Sequence, residues 1–255
     1  MSELTRPVAL VTGVGRRIGI GAGIAERLAA TGWDIAFTYL SRYDDRMPWG
    51  QDTVARDEIT EVLEKHGATV FSVEGDFEDT AAPAAVFRAV NEALGPVQAL
   101  VMSHCESVDS GILDTTIESF DRHFAVNARA GWLLIKAFAE QYAAPYGDGR
   151  IVALTSDHTV DNLPYGASKG ALDRITLAAG QELSHLGITA NAINPGPIDT
   201  GWMTPELVEQ FTAENPLRRP GRPADTANLV AFLCSPEGGW INSQLLTSNG
   251  GWRAG

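Results

Sequence analysis

The chain of 255 residues has little with which to cross-link or ligate: its only cysteines are Cys105 and Cys234. Two thiols make neither a disulfide framework nor a metal-ligand cluster, so no metal is expected. They suit a reducing cytoplasm, where they serve as small core side chains. No apolar run is long enough to span a bilayer, and no stretch has the pattern of a signal peptide. Basic residues are scarce, 19 Lys and Arg against 32 Asp and Glu, for a net charge of −13. That balance disfavours nucleic acid and anionic membranes as partners. No repeat, low-complexity tract or linker divides the sequence. What remains is 44% hydrophobic and 20% charged, an ordinary globular balance. The length suits one α/β domain over residues 1–255.

Short apolar runs alternate with longer segments of helical period. Strands are predicted at residues 8–12, 35–40, 69–74, 99–103, 150–156, 189–194 and 244–248. Helices are predicted at 20–31, 53–65, 83–94, 117–142, 165–185 and 224–233. This alternation implies a doubly wound, seven-stranded parallel sheet with helices on both faces and right-handed crossovers. Two segments stand outside it. Residues 41–52 are polar and include Pro48, Trp49 and Gly50. Residues 195–223 are rich in proline and glycine, with a short amphipathic piece around 205–212. Long loops in compact domains are often lids. Trp202, Met203, Leu207 and Phe211 either form such a lid over a substrate or pack the loop onto the core.

Two local patterns carry chemistry. The strand-like run Val8-Ala9-Leu10-Val11 leads directly into Thr12-Gly13-Val14-Gly15-Arg16-Arg17-Ile18-Gly19-Ile20-Gly21, and a helix follows. A glycine turn there lets the backbone approach a pyrophosphate, and the helix start supplies unpaired N–H groups and a positive dipole end. Tyr165 and Lys169 lie four residues apart, on one face of a predicted helix. A free phenol titrates near pH ~10, and a cation beside it favours the phenolate. Lowering that value by ~3 units takes roughly 4 kcal/mol of differential stabilisation. Ser156-Asp157-His158 is not a hydrolase triad, because three adjacent side chains do not converge as a triad must.

Together with four further motifs, these patterns resemble the short-chain dehydrogenase/reductase family nearly end to end. Gly75-Asp76 ends the third strand, and Asn127 lies in Phe124-Ala125-Val126-Asn127. Asn194-Pro195-Gly196-Pro197-Ile198-Asp199-Thr200 follows the sixth strand, and Asn249-Gly250-Gly251 closes the last. The resemblance implies a Rossmann fold and an oxidoreductase of 3-oxoacyl or other ketone carbonyls, acting on a small molecule in either direction. In it Tyr165 is the general acid or base, Lys169 lowers its pKa and binds the nicotinamide ribose, and Ser156 bonds the reacting carbonyl oxygen. Asn127 holds a water linking Lys169 to bulk solvent. Gly13, Gly19, Ile20, Asp76, Phe77, Ser103, Pro195, Gly196, Ile198 and Thr200 complete the implied dinucleotide site. It also implies a homotetramer built on the helices at 117–142 and 165–185, where Gly170, Ala171, Ala178, Ala179 and Gly180 permit close approach.

The sequence departs from the family pattern in four places. Five residues separate Gly13 from Gly19, a spacing that resembles the divergent branch containing enoyl-carrier-protein reductases. The three residues between Tyr165 and Lys169 side instead with carbonyl reductases. Met102-Ser103-His104-Cys105 replaces an Asn-Asn-Ala-Gly segment, the one feature favouring a non-catalytic nucleotide sensor. Eight residues separate Ser156 from Tyr165, a shortened loop that leaves Thr155 and Thr159 as reserve candidates. Residues 41–52 enlarge the adenosine end. Cofactor choice follows from charge. An acidic residue at the end of the second strand would repel a 2′-phosphate, but neutral Tyr39 stands there. Arg16, Arg17 and Arg42 are placed to clamp that phosphate, so NADP(H) is expected, with NAD(H) the alternative.

Overall fold

The computed structural model describes residues 6–252, apart from Pro48 and Gln51. Val8–Thr12 (β1) is buried along its whole length. Successive side chains of a strand point to opposite faces, and here both faces are covered. Ala9 and Val11 join one core with Ile24, Leu28 and Val230, while Val8 and Leu10 join another with Val86, Leu134 and Phe138. The other strands are Asp34–Tyr39 (β2), Val70–Glu74 (β3), Val97–Met102 (β4), Gly149–Leu154 (β5), Ile188–Asn194 (β6) and Leu245–Thr247 (β7). All pair in parallel, in the order β3-β2-β1-β4-β5-β6-β7. The winding reverses between β1 and β4, which opens a crevice at the carboxyl ends of those strands.

The helices are Ile20–Ala30 (α1), Ser41–Arg46 (α2), Ala55–Lys65 (α3), Ala82–Leu94 (α4), Ile117–His123 (α5), Ala130–Gln141 (α6), Leu163–Glu182 (α7), Pro205–Glu214 (α8) and Pro223–Cys234 (α9). Helices α1, α3 and α9 cover one face, and α4, α6 and α7 the other. The expected doubly wound sheet is therefore the observed one.

Two elements differ from the sequence expectation. The continuous helix at 117–142 is interrupted by a π-helical turn at Phe124–Arg129, which carries Asn127 inward. The cause is a pair of polar bonds. Asn127 Oδ1 accepts from the Glu106 amide at 2.8 Å, and Nδ2 donates to the Glu106 carbonyl at 2.9 Å. Residues 41–46 form α2 rather than a loop, although Pro48 of that segment lies outside the described residues. Its stability is tertiary: Arg46 forms a two-pronged ion pair with Glu106, at 3.2 and 2.9 Å.

Candidate active site and dinucleotide cleft

A cleft of about 1470 Å³ runs across the carboxyl ends of the sheet, from α2 to the loop after β6. At its centre the chain leaves β1 through Gly13, which has φ +76°. An added Cβ there would lie 2.6 Å from His104 Cα, so only glycine lets these two strand ends meet. The turn delivers α1 with Gly19 at its N-cap, with no side-chain cap bond and no acidic residue in the first turn. The first amides of α1 are thus free of side-chain partners, which fits an anionic pyrophosphate.

Around that turn the arginines take different paths. Arg16 donates to the Thr200 carbonyl at 2.7 Å and stacks 4.3 Å from the centre of the Trp49 ring. Trp49 in turn donates to Asp44 Oδ1 at 3.0 Å. Burial holds the Asp44 carboxyl above its usual range, against the bond from Trp49 and the charge of Arg16. Arg42 lines the cleft but pairs with Asp76, and lies 3.9 Å from Glu78. Arg17 is not brought into the cleft. It points to α3 and pairs with Glu58 at 2.9 Å. Arg56, which does not line the cleft, donates to the Tyr39 hydroxyl at 3.0 Å and lies 5.4 Å from that ring's centre.

At the reactive end, Lys169 is buried and its Nζ donates to the Leu154 carbonyl at 2.8 Å. That ammonium lies 5.6 Å from the centre of the Tyr165 ring. Burial lowers the Lys169 pKa, and nearby Cys105 and Asp173 oppose that shift. Burial also raises the Tyr165 phenol well above its ordinary value; Cys105 adds to this and a hydrogen bond with Ser156 opposes it. Without a ligand, burial thus works against the charged form of each partner. Ser156 Oγ also accepts the His158 amide at 3.1 Å, closing a tight turn. Thr155 ties β5 to α7 through a 3.4 Å bond to the Lys169 carbonyl, while Thr159 lines the cleft. Asn127 reaches Ser168 Oγ at 2.9 Å, so its amide has partners on both sides.

The unusual Met102–Cys105 segment is well bonded. His104 Nε2 faces the Val126 carbonyl at 3.0 Å, and Nδ1 faces Thr12 Oγ1 at 2.7 Å. A carbonyl only accepts, so Nε2 carries the proton and Nδ1 receives the threonine hydroxyl. Burial, aided by the Lys169 charge, holds the imidazole down at about 3, against the bond to Val126. His104 is therefore a neutral brace between β1, the β4 loop and the π turn. Gly13, Arg16, Gly19, Ile20, Tyr39 and Arg42 all line the cleft. So do Asp76, Phe77, Ser103, Ser156, Tyr165 and Lys169, and Pro195, Gly196, Ile198 and Thr200. Asn127 supports it from behind.

The chain belongs to the short-chain dehydrogenase/reductase family of oxidoreductases: the family model described as "Enoyl-(Acyl carrier protein) reductase" matches residues 13–253. Among curated relatives, the uncharacterized oxidoreductase YjdA of Bacillus subtilis is 34% identical over the full length of both chains. An NADPH-dependent aldehyde reductase-like chloroplastic protein of Arabidopsis thaliana is 36% identical, over 96% of this chain and 93% of its own. Among solved structures, the angucycline C-6 ketoreductase LanV with bound NADP superposes with a TM-score of 0.83 at 30% identity. That match covers 96% of this chain and 95% of LanV.

Proposed function

We propose that the protein is an NADP(H)-dependent reductase of ketone or 3-oxoacyl-type carbonyls, running in either direction, with Tyr165 as general acid or base. The observation that carries this is the Tyr165–Lys169–Ser156 group on the floor of the dinucleotide cleft. When bound, the dinucleotide supplies or accepts the hydride.

The side chains account for the rest. Ser156 donates to the carbonyl oxygen as it gains negative charge, and Tyr165 gives that oxygen its proton. The Lys169 ammonium, held in place by the Leu154 carbonyl, stabilises the phenolate left behind. Lys169 would also hold the nicotinamide ribose of the bound dinucleotide. Asn127 holds a water that reconnects Lys169 to solvent, and with its amide committed to Glu106 and Ser168 it does so through its backbone.

Tyr39, neutral where an acidic residue would repel a 2′-phosphate, supports NADP(H), as do the NADPH-dependent relative and the NADP-bound ketoreductase. Residues 195–223 act as a lid: α8 has no buried residue, yet Phe211 and Trp202 both line the cleft. The reading also includes a cytoplasmic homotetramer. Exposed Ile112, Leu113, Ile117 and Trp132 around α5 and α6 support the assembly.

A Tyr165→Phe variant tests the reading. Turnover of a ketone panel with NADPH falls ~100-fold or more, while NADPH binding, read by fluorescence, is retained. Unchanged turnover removes Tyr165 from the mechanism, and a clear preference of the wild type for NADH rejects the cofactor assignment. A second reading, enoyl reduction, draws on the matched family description and the Gly13–Gly19 spacing, and is opposed by the Tyr165–Lys169 spacing.

A further inference from the structure

Two departures from the family pattern meet in space. Helix α2 lies in the segment that enlarges the adenosine end, and it bonds Glu106, which directly follows the replaced Met102–Cys105 segment. Arg46 donates to both carboxylate oxygens of Glu106, whose side chain is 3% exposed. A carboxylate buried to that degree depends on its cation, so the pair ties α2 to the loop after β4. The same guanidinium lies 5.5 Å from the centre of the Tyr43 ring.

The helix is also fastened to the glycine turn. Asp44 is buried, and an added Cβ on Gly15 would stand 2.6 Å from its Oδ2. Asp44 accepts the indole N–H of Trp49, which stacks on Arg16 of that turn. The glycine turn leads into α1 on one face of the sheet, and the loop carrying Glu106 leads through α5 to α6 on the other. In the sheet β1 lies between β2 and β4, so a segment that leaves β2 and bonds Glu106 passes over the end of β1. Helix α2 therefore joins the two lips of the crevice that opens where the winding reverses. Arg16, Tyr43, Asp44, Arg46 and Glu106 all line the cleft, so this bridge is part of its wall. A dinucleotide is a long ligand whose pyrophosphate would lie at the glycine turn. Beneath a bridge from lip to lip, it enters or leaves only when one end of the bridge lets go.

We propose that α2 is a gate on cofactor exchange, latched by the Arg46–Glu106 pair: it opens to admit the dinucleotide, closes over it, and opens again for release. The proposal rests on the dinucleotide reading of the cleft and adds to it a step separate from the chemistry.

Stopped-flow NADPH fluorescence tests it, with association followed on mixing and dissociation by a chase of excess NADP+. The double variant Arg46→Ala/Glu106→Gln removes the latch without leaving a lone buried charge. The latch is the same in the empty and the loaded protein, so loosening it raises both rates together, each about tenfold or more, and changes Kd by less than about threefold. Unchanged rates overturn the proposal. Faster dissociation with association unchanged or slowed also overturns it, Arg46 then being an ordinary contact of the bound ligand. Should the double variant fail to fold, Trp49→Leu decides by the same pattern, since it loosens the other fastening at an exposed position. Binding with unaltered exchange overturns the gate alone and leaves the reductase reading standing. A wild type that binds neither NADPH nor NADH overturns the cleft assignment and the gate together.

Discussion

His104 shows how one side chain converts a departure from the family pattern into a brace. It bonds Thr12 and Val126, and its ring centre lies 4.6 Å from that of Phe77. Its folded pKa, about 3, sits below the unfolded value near ~6.5. The unfolded chain therefore binds more protons across that interval. The contribution of His104 is complete above pH ~6.5 and is lost progressively as pH falls toward the folded value, by up to about 1.4 kcal/mol per pH unit. Urea denaturation from pH 7 to 4 will show this slope in the wild type and a flatter one in His104→Asn. Equal slopes would remove His104 from the acid response. The identity of His104 was plain in the sequence, but its neutral state was not. Burial and the nearby Lys169 charge set that state, and both come from segments distant in the chain.

Among the elements, β1, the glycine turn, α1 and α7 were legible because their signals are local: a buried run, a glycine cluster and a helical repeat. The break between α5 and α6 was not, because Asn127 bends the helix by bonding Glu106, 21 residues away. Helix α2 was also hidden, as it leans on Glu106 across 60 residues. The loop between Ser156 and Tyr165 shows the same dependence. It is short enough that an added Cβ on Gly166 would collide with the His158 carbonyl oxygen. Gly166→Ala must therefore push this loop off α7. The expected cost is about 1–3 kcal/mol, seen as a lowered Tm, with KM for the ketone rising more than KM for NADPH. A variant matching wild type in both would show that the loop does not rest on α7. Within the site, Tyr165 and Lys169 stand out by their spacing, whereas Ser156 comes only from the family resemblance. Asn162, which also lines the cleft, had no such signal, since its partner Asp109 lies 53 residues off in sequence.

At the scale of the whole molecule, a surface of net charge −13 carries apolar side chains that the single chain leaves uncovered. Leu113 is 97% exposed and Ile117 75%. In an isolated chain, Leu113→Glu would change stability by no more than about 0.5 kcal/mol. In the proposed tetramer it sets a charge into an apolar contact. Light scattering will give a multiple of the 27.3 kDa chain for the wild type and a smaller species for Leu113→Glu. A wild-type monomer would contradict the assembly.

Arg16 reaches both edges of the cleft. Its guanidinium grips the backbone of Thr200 on one side and lies flat on the Trp49 indole on the other. A displacement of the backbone at Thr200 must therefore break that bond or draw the guanidinium off the indole.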